Sequence, residues 1–361
     1  MAARAGCRRG RRPVEACSPA AFSQHGGVAV RILVTGGAGF IGSNFIHYLL
    51  RAYPGDQVLN FDKLTYAGNL ENLVDVQDDP RYSFVRGDIC DEAAVEQAMS
   101  GADAVVNFAA ETHVDRSIEH AGAFIDTDVK GLYVLLEAAR RRGIERFAHV
   151  STDEVYGSIE TGSFKESDPL NPSSPYAASK AGGELMAAAY RRTYGYGIVI
   201  TRGANTYGPR QYPEKIVPLF ITNAIEGKPL PLYGDGLNVR DWLYVDDHCA
   251  GIDIVLRKGT PGEAYNLGAG QELTNLELTR KILVLVGRGE DLIRFVKDRP
   301  GHDRRYSVDS TKAHALGWRP QVGVDDGLAR TVRWYRENEG WWRRIKDGSF
   351  REYYQRMYGN R

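Results

Sequence analysis

The chain has 361 residues, enough for two domains and a large buried core. Hydrophobic residues make up 43% and charged residues 25%, the proportions of a globular protein, which exclude wholesale disorder. Acidic and basic side chains balance at 46 each, so no net field draws the chain to nucleic acid or an anionic membrane, and an anionic ligand must be held by local groups.

Residues 1–28 are rich in Arg, Ala, Gly and Pro and carry no hydrophobic period. They are expected to form a disordered extension, with the native start near Val28. Arg8-Arg9 and Arg11-Arg12 are not followed by the apolar stretch of an export signal. No apolar run approaches the ~20 residues of a membrane span. Cys7, Cys17, Cys90 and Cys249 lie far apart, with neither metal-ligand nor redox spacing. Reduced thiols in a cytoplasmic protein, with no metal site, are the expectation.

From Val30 onward, short β-branched runs alternate with helical patterns. The runs lie at 30–37, 57–62, 82–88, 104–110, 146–152 and 197–205, each apolar and each followed by Gly, Asp or Ser/Thr. Such runs fit strands buried on both faces of a parallel sheet. Between them come amphipathic stretches such as IGSNFIHYLLRAY and KGLYVLLEAARRRG, the latter closing on Gly143 as a C-cap. Repeated units of this length predict an α/β fold with a doubly wound parallel sheet. After Asn205 the pattern loosens into Pro- and Gly-punctuated segments, read as a smaller C-terminal α/β substrate-binding domain. Residues 29–204 with about 237–262 are assigned to the large domain; about 205–236 with 263–361 are assigned to the small one.

The first strand runs into Gly36-Gly37-Ala38-Gly39-Phe40-Ile41-Gly42 and then directly into a helix. Glycines allow a tight turn and close approach of a pyrophosphate to the helix N-terminus, where free N–H groups favour anions. Asp62 ends the second strand about 20 residues on, where an acid binds the ribose hydroxyls of NAD and repels the extra phosphate of NADP. Lys63 beside it weakens that discrimination. Asp88-Ile89 ends the third strand in a position to flank the adenine, or to cap the helix that begins near DEAAVEQAM. These features read as a Rossmann sheet that binds NAD.

Tyr176 and Lys180 stand four residues apart in PYAASK and share one helix face. A phenol near its usual pKa of ~10 is a poor base, and lowering it by ~3 units needs about 4 kcal/mol. An adjacent ammonium and a positive nicotinamide ring are expected to supply that. Following the glycine turn, this pair resembles the extended short-chain dehydrogenase/reductase superfamily. An oxidoreductase of that kind needs only Ser/Thr, Tyr and Lys. Here Ser151-Thr152-Asp153-Glu154 adds two carboxyl groups, and in nonpolar surroundings such a pair splits into one acid and one base. Oxidising C4 of a hexose makes the C5 proton acidic. Glu154 is then expected to take that proton and Asp153 to protonate the departing C6 hydroxyl. Epimerases and decarboxylases need no acid at C6, and a non-catalytic NAD sensor would not keep all four groups.

The chain resembles dTDP-glucose 4,6-dehydratases from Val30 onward, through DKLTYAGNLENL, AAETHVDRSI, STDEVYG, PYAASK, NTYGPRQYPEKIVPLF, PLYGDGLNVRDWLYVDDH and DRPGHDRRYSVD. The resemblance implies a lyase with tightly bound NAD, a nucleotide-sugar substrate and a homodimer. It implies that Thr152, Asp153, Glu154, Tyr176 and Lys180 are catalytic. It places Lys63, Leu64, Thr65 and Gly68 in a loop that closes over the dinucleotide. Further NAD contacts are implied at Ile89, at Phe108, Ala109, Ala110 and Thr112, and at Thr127 and Thr206. Around the nucleotide-diphosphate sugar it places Thr112, Thr152, Asn205, Lys215, Ile216 and Pro231, and also Tyr233, Arg240, Asn275, Arg299 and His302. Arg240 suits a phosphate because a guanidinium fork matches its oxygens. The family pairs subunits through the Tyr176 helix and the KGLYVLLEAARRR helix, where Leu132, Leu136, Leu185 and Met186 are either the apolar contacts of that pairing or core. Asp128 stands where the family has Asn, and Thr206 replaces the second Asn of Asn-Asn-Tyr-Gly-Pro. No residue reads thymidine against uridine; that part of the substrate is implied by the resemblance.

Overall fold

The chain's apolar runs become parallel strands. A computed structural model describes residues 29–348 with 350, 352 and 354; the expected extension at 1–28, with Cys7 and Cys17, lies outside the described residues. The first six strands are β1 (Arg31–Thr35), β2 (Gln57–Asp62), β3 (Tyr82–Arg86), β4 (Ala104–Asn107), β5 (Arg146–Thr152) and β6 (Val199–Gly203). Then come β7 (Asn205–Tyr207), β8 (Leu230–Tyr233), β9 (Val239–Tyr244), β10 (Ala264–Leu267), β11 (Glu272–Thr274) and β12 (Ile293–Val296).

Seven strands form one sheet in the order β10-β6-β5-β4-β1-β2-β3. The register is parallel, with Ile32 beside both Val58 of β2 and Ala104 of β4. Side chains alternate across the sheet. Ile32 and Val34 therefore pack with Phe45, Leu49, Ile252 and Val255 on one face, and Leu33 packs with Val105, Leu132, Leu135 and Leu136 on the other. Burying each such side chain contributes on the order of 1.5–3 kcal/mol. Edge strand β3 is exposed at three of its five positions, so the expectation of burial on both faces fails there, where one side has no neighbour.

The chain winds from β1 outward to β3 and then returns to place β4 on the other side of β1. This switch opens a crevice beyond the carboxyl ends of β1 and β4, the usual ligand position in such sheets. The Phe40–Ala52 helix begins there and packs against the Val245–Lys258 helix, which also contacts β5.

Two boundaries differ from the sequence reading. β10 extends the large sheet beside β6, although 263–361 was assigned to the smaller unit. β9 instead pairs with β7 and β11 in a small three-stranded sheet, although 237–262 was assigned to the large one. β8 pairs with β12. A separate core around Phe220, Trp242, Leu278, Tyr335 and Trp342 holds these strands and the helices near them. Leu132 and Leu136 are wholly buried in the large core, so neither is free to touch a second subunit. Among the described residues, no helix is long and apolar enough to cross a membrane.

The glycine turn is shaped first by the protein's own backbone. Gly36 has φ +69°, and a Cβ there would lie 2.5 Å from the Ala109 nitrogen. A Cβ on Gly42 would lie 2.3 Å from the Gly36 oxygen, whereas one on Gly39 meets nothing closer than that same oxygen at 3.3 Å. Gly42→Ala is expected to cost on the order of 1–3 kcal/mol or more and to lower Tm by several degrees. Gly39→Ala should stay within about 1 kcal/mol of the parent. Equal Tm losses for the two variants would contradict this account.

Candidate active site

The crevice holds one continuous cavity. Its floor is the glycine turn, with Gly36, Gly39, Phe40, Ile41 and Gly42 on its wall at the N-terminus of the Phe40–Ala52 helix. On one side stand Asp62, Lys63, Thr65 and Gly68, then Asp88 and Ile89; on the other stand Phe108, Ala109, Ala110, Thr112 and Thr127. Asp62 is buried, and its two oxygens accept the backbone N–H groups of Leu64 at 2.7 Å and Ala38 at 2.9 Å. One lone pair on each oxygen remains for ribose hydroxyls. Lys63 is paired with Asp88 at 2.7 Å, so the cation that could welcome a 2′-phosphate is already engaged. Asp91, not Asp88, caps the Glu92–Ala98 helix. A dinucleotide fits this cradle: Gly39 leaves room beside free N–H groups, and the acid that selects NAD stands at the end of β2.

Two of the cofactor contacts implied by resemblance are not brought to the cavity wall. Leu64 sits at φ +58°, and its contribution is the backbone N–H held by Asp62. Thr206 lies on β7, with its hydroxyl engaged by the Ala204 carbonyl at 3.1 Å and His248 Nδ1 at 2.8 Å.

Tyr176 and Lys180 line the cavity opposite Ser151, as their shared helix face requires. Ser174 caps that helix, accepting the Ala177 N–H, and Pro175 begins it. Lys180 donates to the Val150 carbonyl at 2.8 Å and is buried, which pulls its ammonium below the usual lysine range. Thr152 ends β5 and caps the short turn Asp153–Tyr156 by accepting the Glu154 N–H. This turn presents both carboxyl groups beside Tyr176. Asp153 is 3% exposed, and its Oδ2 has no hydrogen-bond partner. Burial above all, then Glu154 and Asp241, push it well above the usual carboxyl range, which favours the protonated form. The Tyr176 phenol departs from expectation. Burial first, then Glu154, Asp128 and Asp153, raise it well above its usual value, against a hydrogen bond from Thr152. The neighbouring ammonium is outweighed, and phenolate formation in this pocket needs a further cation.

Around Glu154 gather Lys215 and Arg240, with Arg299 close to both cations. Arg240 is buried and stacks on Tyr306. The neighbouring Asp241 accepts the Gly270 and Gln271 N–H groups. The two terminal nitrogens of Arg240 donate to the carbonyls of Val239, Asp303 and Arg304. Three of the five guanidinium N–H donors are thus held by backbone, which fixes the group in place and brings its positive charge to the site. Tyr233 donates to Asp115 at 3.1 Å, Arg299 lies 4.0 Å from Asp115, and His302 packs edge-on to Tyr233. Pro231 lies on β8, and Ile216 and Asn275 begin two helices. Asn205 Oδ1 is buried without a partner.

Several wall residues were not singled out in the sequence, namely Glu111, Gln211, Tyr212 and Glu214. Glu214, on the cavity wall, is the buried centre of a bridge. It accepts Tyr66 Oη at 2.7 Å and Arg116 Nε at 2.9 Å, and Arg116 lies 3.7 Å over the Tyr66 ring. Tyr66 belongs to the loop after β2, so this bridge ties that loop to the opposite wall. The quoted segments contain these residues, but nothing in them announces that they meet.

Residues 33–331 match the family model described as GDP-mannose 4,6 dehydratase. The chain is 56% identical to a dTDP-glucose 4,6-dehydratase of Actinoplanes sp. over 87% of this chain and 100% of that protein. It is 54% identical to the low-salt glycan biosynthesis protein Agl12 of Haloferax volcanii over 84% of this chain and 98% of that one. Its structure is similar to that of DesIV, a dTDP-glucose 4,6-dehydratase from Streptomyces venezuelae solved with NAD and dTDP bound. The TM-score is 0.86 at 57% identity, covering 88% of this chain and 100% of that chain. The Thermus thermophilus UDP-glucose 4-epimerase is less similar, with a TM-score of 0.79 at 34% identity, covering 86% of this chain and 100% of that chain. The chain belongs to the nucleotide-sugar 4,6-dehydratase family that the matching model describes, and within it to the dTDP-glucose 4,6-dehydratases.

Proposed function

We propose that the chain is an NAD-dependent hydro-lyase that converts dTDP-glucose to dTDP-4-keto-6-deoxyglucose and water, for deoxysugar synthesis. The observation that carries this reading is Asp153, a buried acid with a free oxygen, beside Glu154 and within reach of Tyr176. An epimerase on the same fold has no use for that proton. Bound NAD supplies an acceptor and then a donor of one hydride, which couples oxidation at C4 to reduction at C6. Tyr176 takes the proton of the C4 hydroxyl, with Thr152 hydrogen-bonded to its oxygen and the nearby Lys180 ammonium favouring the phenolate. Glu154 removes the C5 proton, which the new ketone has made acidic. Asp153 gives its proton to the departing C6 hydroxyl, and a proton returns to C5. Lys215, Arg240 and Arg299 supply the positive charge that faces the diphosphate. Thr112, Asn205, Ile216, Pro231, Tyr233, Asn275 and His302 complete the substrate side.

The Glu214 bridge supports retention of NAD through successive turnovers. Two free thiols, Cys90 and Cys249, support a cytoplasmic site of action. Ile125, Tyr133, Leu185 and Tyr194 expose apolar surface on the two helices that pair in the family, which supports a homodimer. Light scattering should give the mass of two chains; a monomer at micromolar concentration would contradict this.

Incubated with dTDP-glucose, UDP-glucose and GDP-mannose, the purified protein is expected to convert dTDP-glucose without added reductant, to a product absorbing in alkali. No turnover of dTDP-glucose overturns the substrate assignment. Asp153→Asn should slow elimination by on the order of 10²–10⁴ and let reduced cofactor accumulate, whereas Tyr176→Phe should block its formation. Normal turnover by Asp153→Asn would remove it from the role of acid. Tyr66→Phe deletes one hydrogen bond of the bridge, worth about 1–3 kcal/mol at a charged acceptor, and should speed NAD loss on desalting by about tenfold. Retention equal to that of the parent would show that the bridge does not hold the cofactor.

A further inference from the structure

Asp128 lies within the π-helical stretch Ile125–Gly131 and is 2% exposed. Such a turn inserts one extra residue and shifts side chains off the regular helix face, often at functional sites. The stretch packs against the Pro175–Tyr194 helix, where Asp128 Oδ2 accepts a 2.6 Å hydrogen bond from Ser179 Oγ. Ser179 is the residue before Lys180. The other carboxyl oxygen, Oδ1, is buried without a hydrogen-bond partner. Burying a carboxylate so sparsely bonded is costly, and none of the steps assigned above uses it.

The charges around it explain what it can do. Burial pushes the Asp128 carboxyl up to about 6, against the pull of the Lys180 ammonium, the Ser179 hydroxyl and the Glu111 backbone N–H. Asp128 in turn opposes ionisation of the Tyr176 phenol, less than Glu154 and more than Asp153. Glu111 faces Asp128 from the loop after β4. His149, on β5, and Glu184, on the same helix as Lys180, are the remaining titratable groups coupled to Lys180. An amide at this position would have the same shape and no charge.

We propose that Asp128, anchored by Ser179 next to Lys180, is a positioning residue whose negative charge sets how readily Tyr176 ionises and so gives the oxidation step its pH dependence. This rests on the reading of Tyr176 as the group that takes the C4 proton. The direct interaction between the Asp128 carboxylate and the phenol gives the sign. The Asp128 carboxylate disfavours the phenolate, so removing its charge lets Tyr176 ionise at lower pH.

The test follows formation of reduced cofactor in a single turnover of the NAD-loaded protein with dTDP-glucose, from about pH 5 to about pH 9. Asp128→Asn is expected to move the ascending limb to lower pH by about half to one unit. At a pH on that limb the step then runs about 3–10-fold faster, with KM for dTDP-glucose unchanged. Ser179→Ala removes the hydrogen bond that favours the carboxylate form and should move the limb the same way by less. It also carries the test if Asp128→Asn does not fold. A limb left in place by every folded variant, with oxidation intact in the parent, overturns the role of Asp128. Absence of oxidation in the parent overturns the reading of Tyr176 instead.

Discussion

Desolvation at the carboxyl end of β5 governs this site. Asp153 is held there by a turn that Thr152 caps, in a pocket where its neighbours are a second carboxyl group, a buried phenol and the Asp241 carboxyl. Water would let it ionise, and the elimination would then lose its acid. The rest of the fold maintains that dry place. The switch between β1 and β4 opens the crevice, the glycine turn lines its floor, and Tyr212, which packs on the smaller core, lines it as well.

The same desolvation sets a problem for Tyr176. Three carboxyl groups and burial act against its phenolate, and Lys180 alone does not offset them. The residues therefore divide the work with the cofactor. The chain supplies an acid, a base and a phenol within one turn and one helix, and the positive nicotinamide ring supplies the missing charge. Oxidation is thereby favoured only when NAD is in place, which is useful for an enzyme whose cofactor must be restored before product leaves.

Much of this was legible in the sequence, because its carriers are local. β2 and β5 span the runs 57–62 and 146–152 residue for residue, and the acid pair and the Tyr-Lys pair each lie within a few residues of chain. The signals that failed were those of pairing. β10 was not singled out as a strand, and runs as short as the four to six residues of β10 and β9 do not say which sheet they join. Arg240 suits a phosphate by residue type, but the carbonyls that hold three of its N–H donors, from residues 239, 303 and 304, are not announced by that type. The Glu214 bridge joins residues 148 and 98 positions apart, and no motif encodes such a meeting.

The central claim is that one cofactor, retained in the cavity, carries reducing equivalents from C4 to C6 of a single sugar while Asp153 and Glu154 remove water between them. Turnover of dTDP-glucose deuterated at C4, in ordinary water and without added reductant, tests it most directly. The account predicts a 6-deoxy product with the deuterium retained at C6 and a solvent proton at C5. Deuterium lost to solvent, or a product that keeps its C6 hydroxyl, would contradict it.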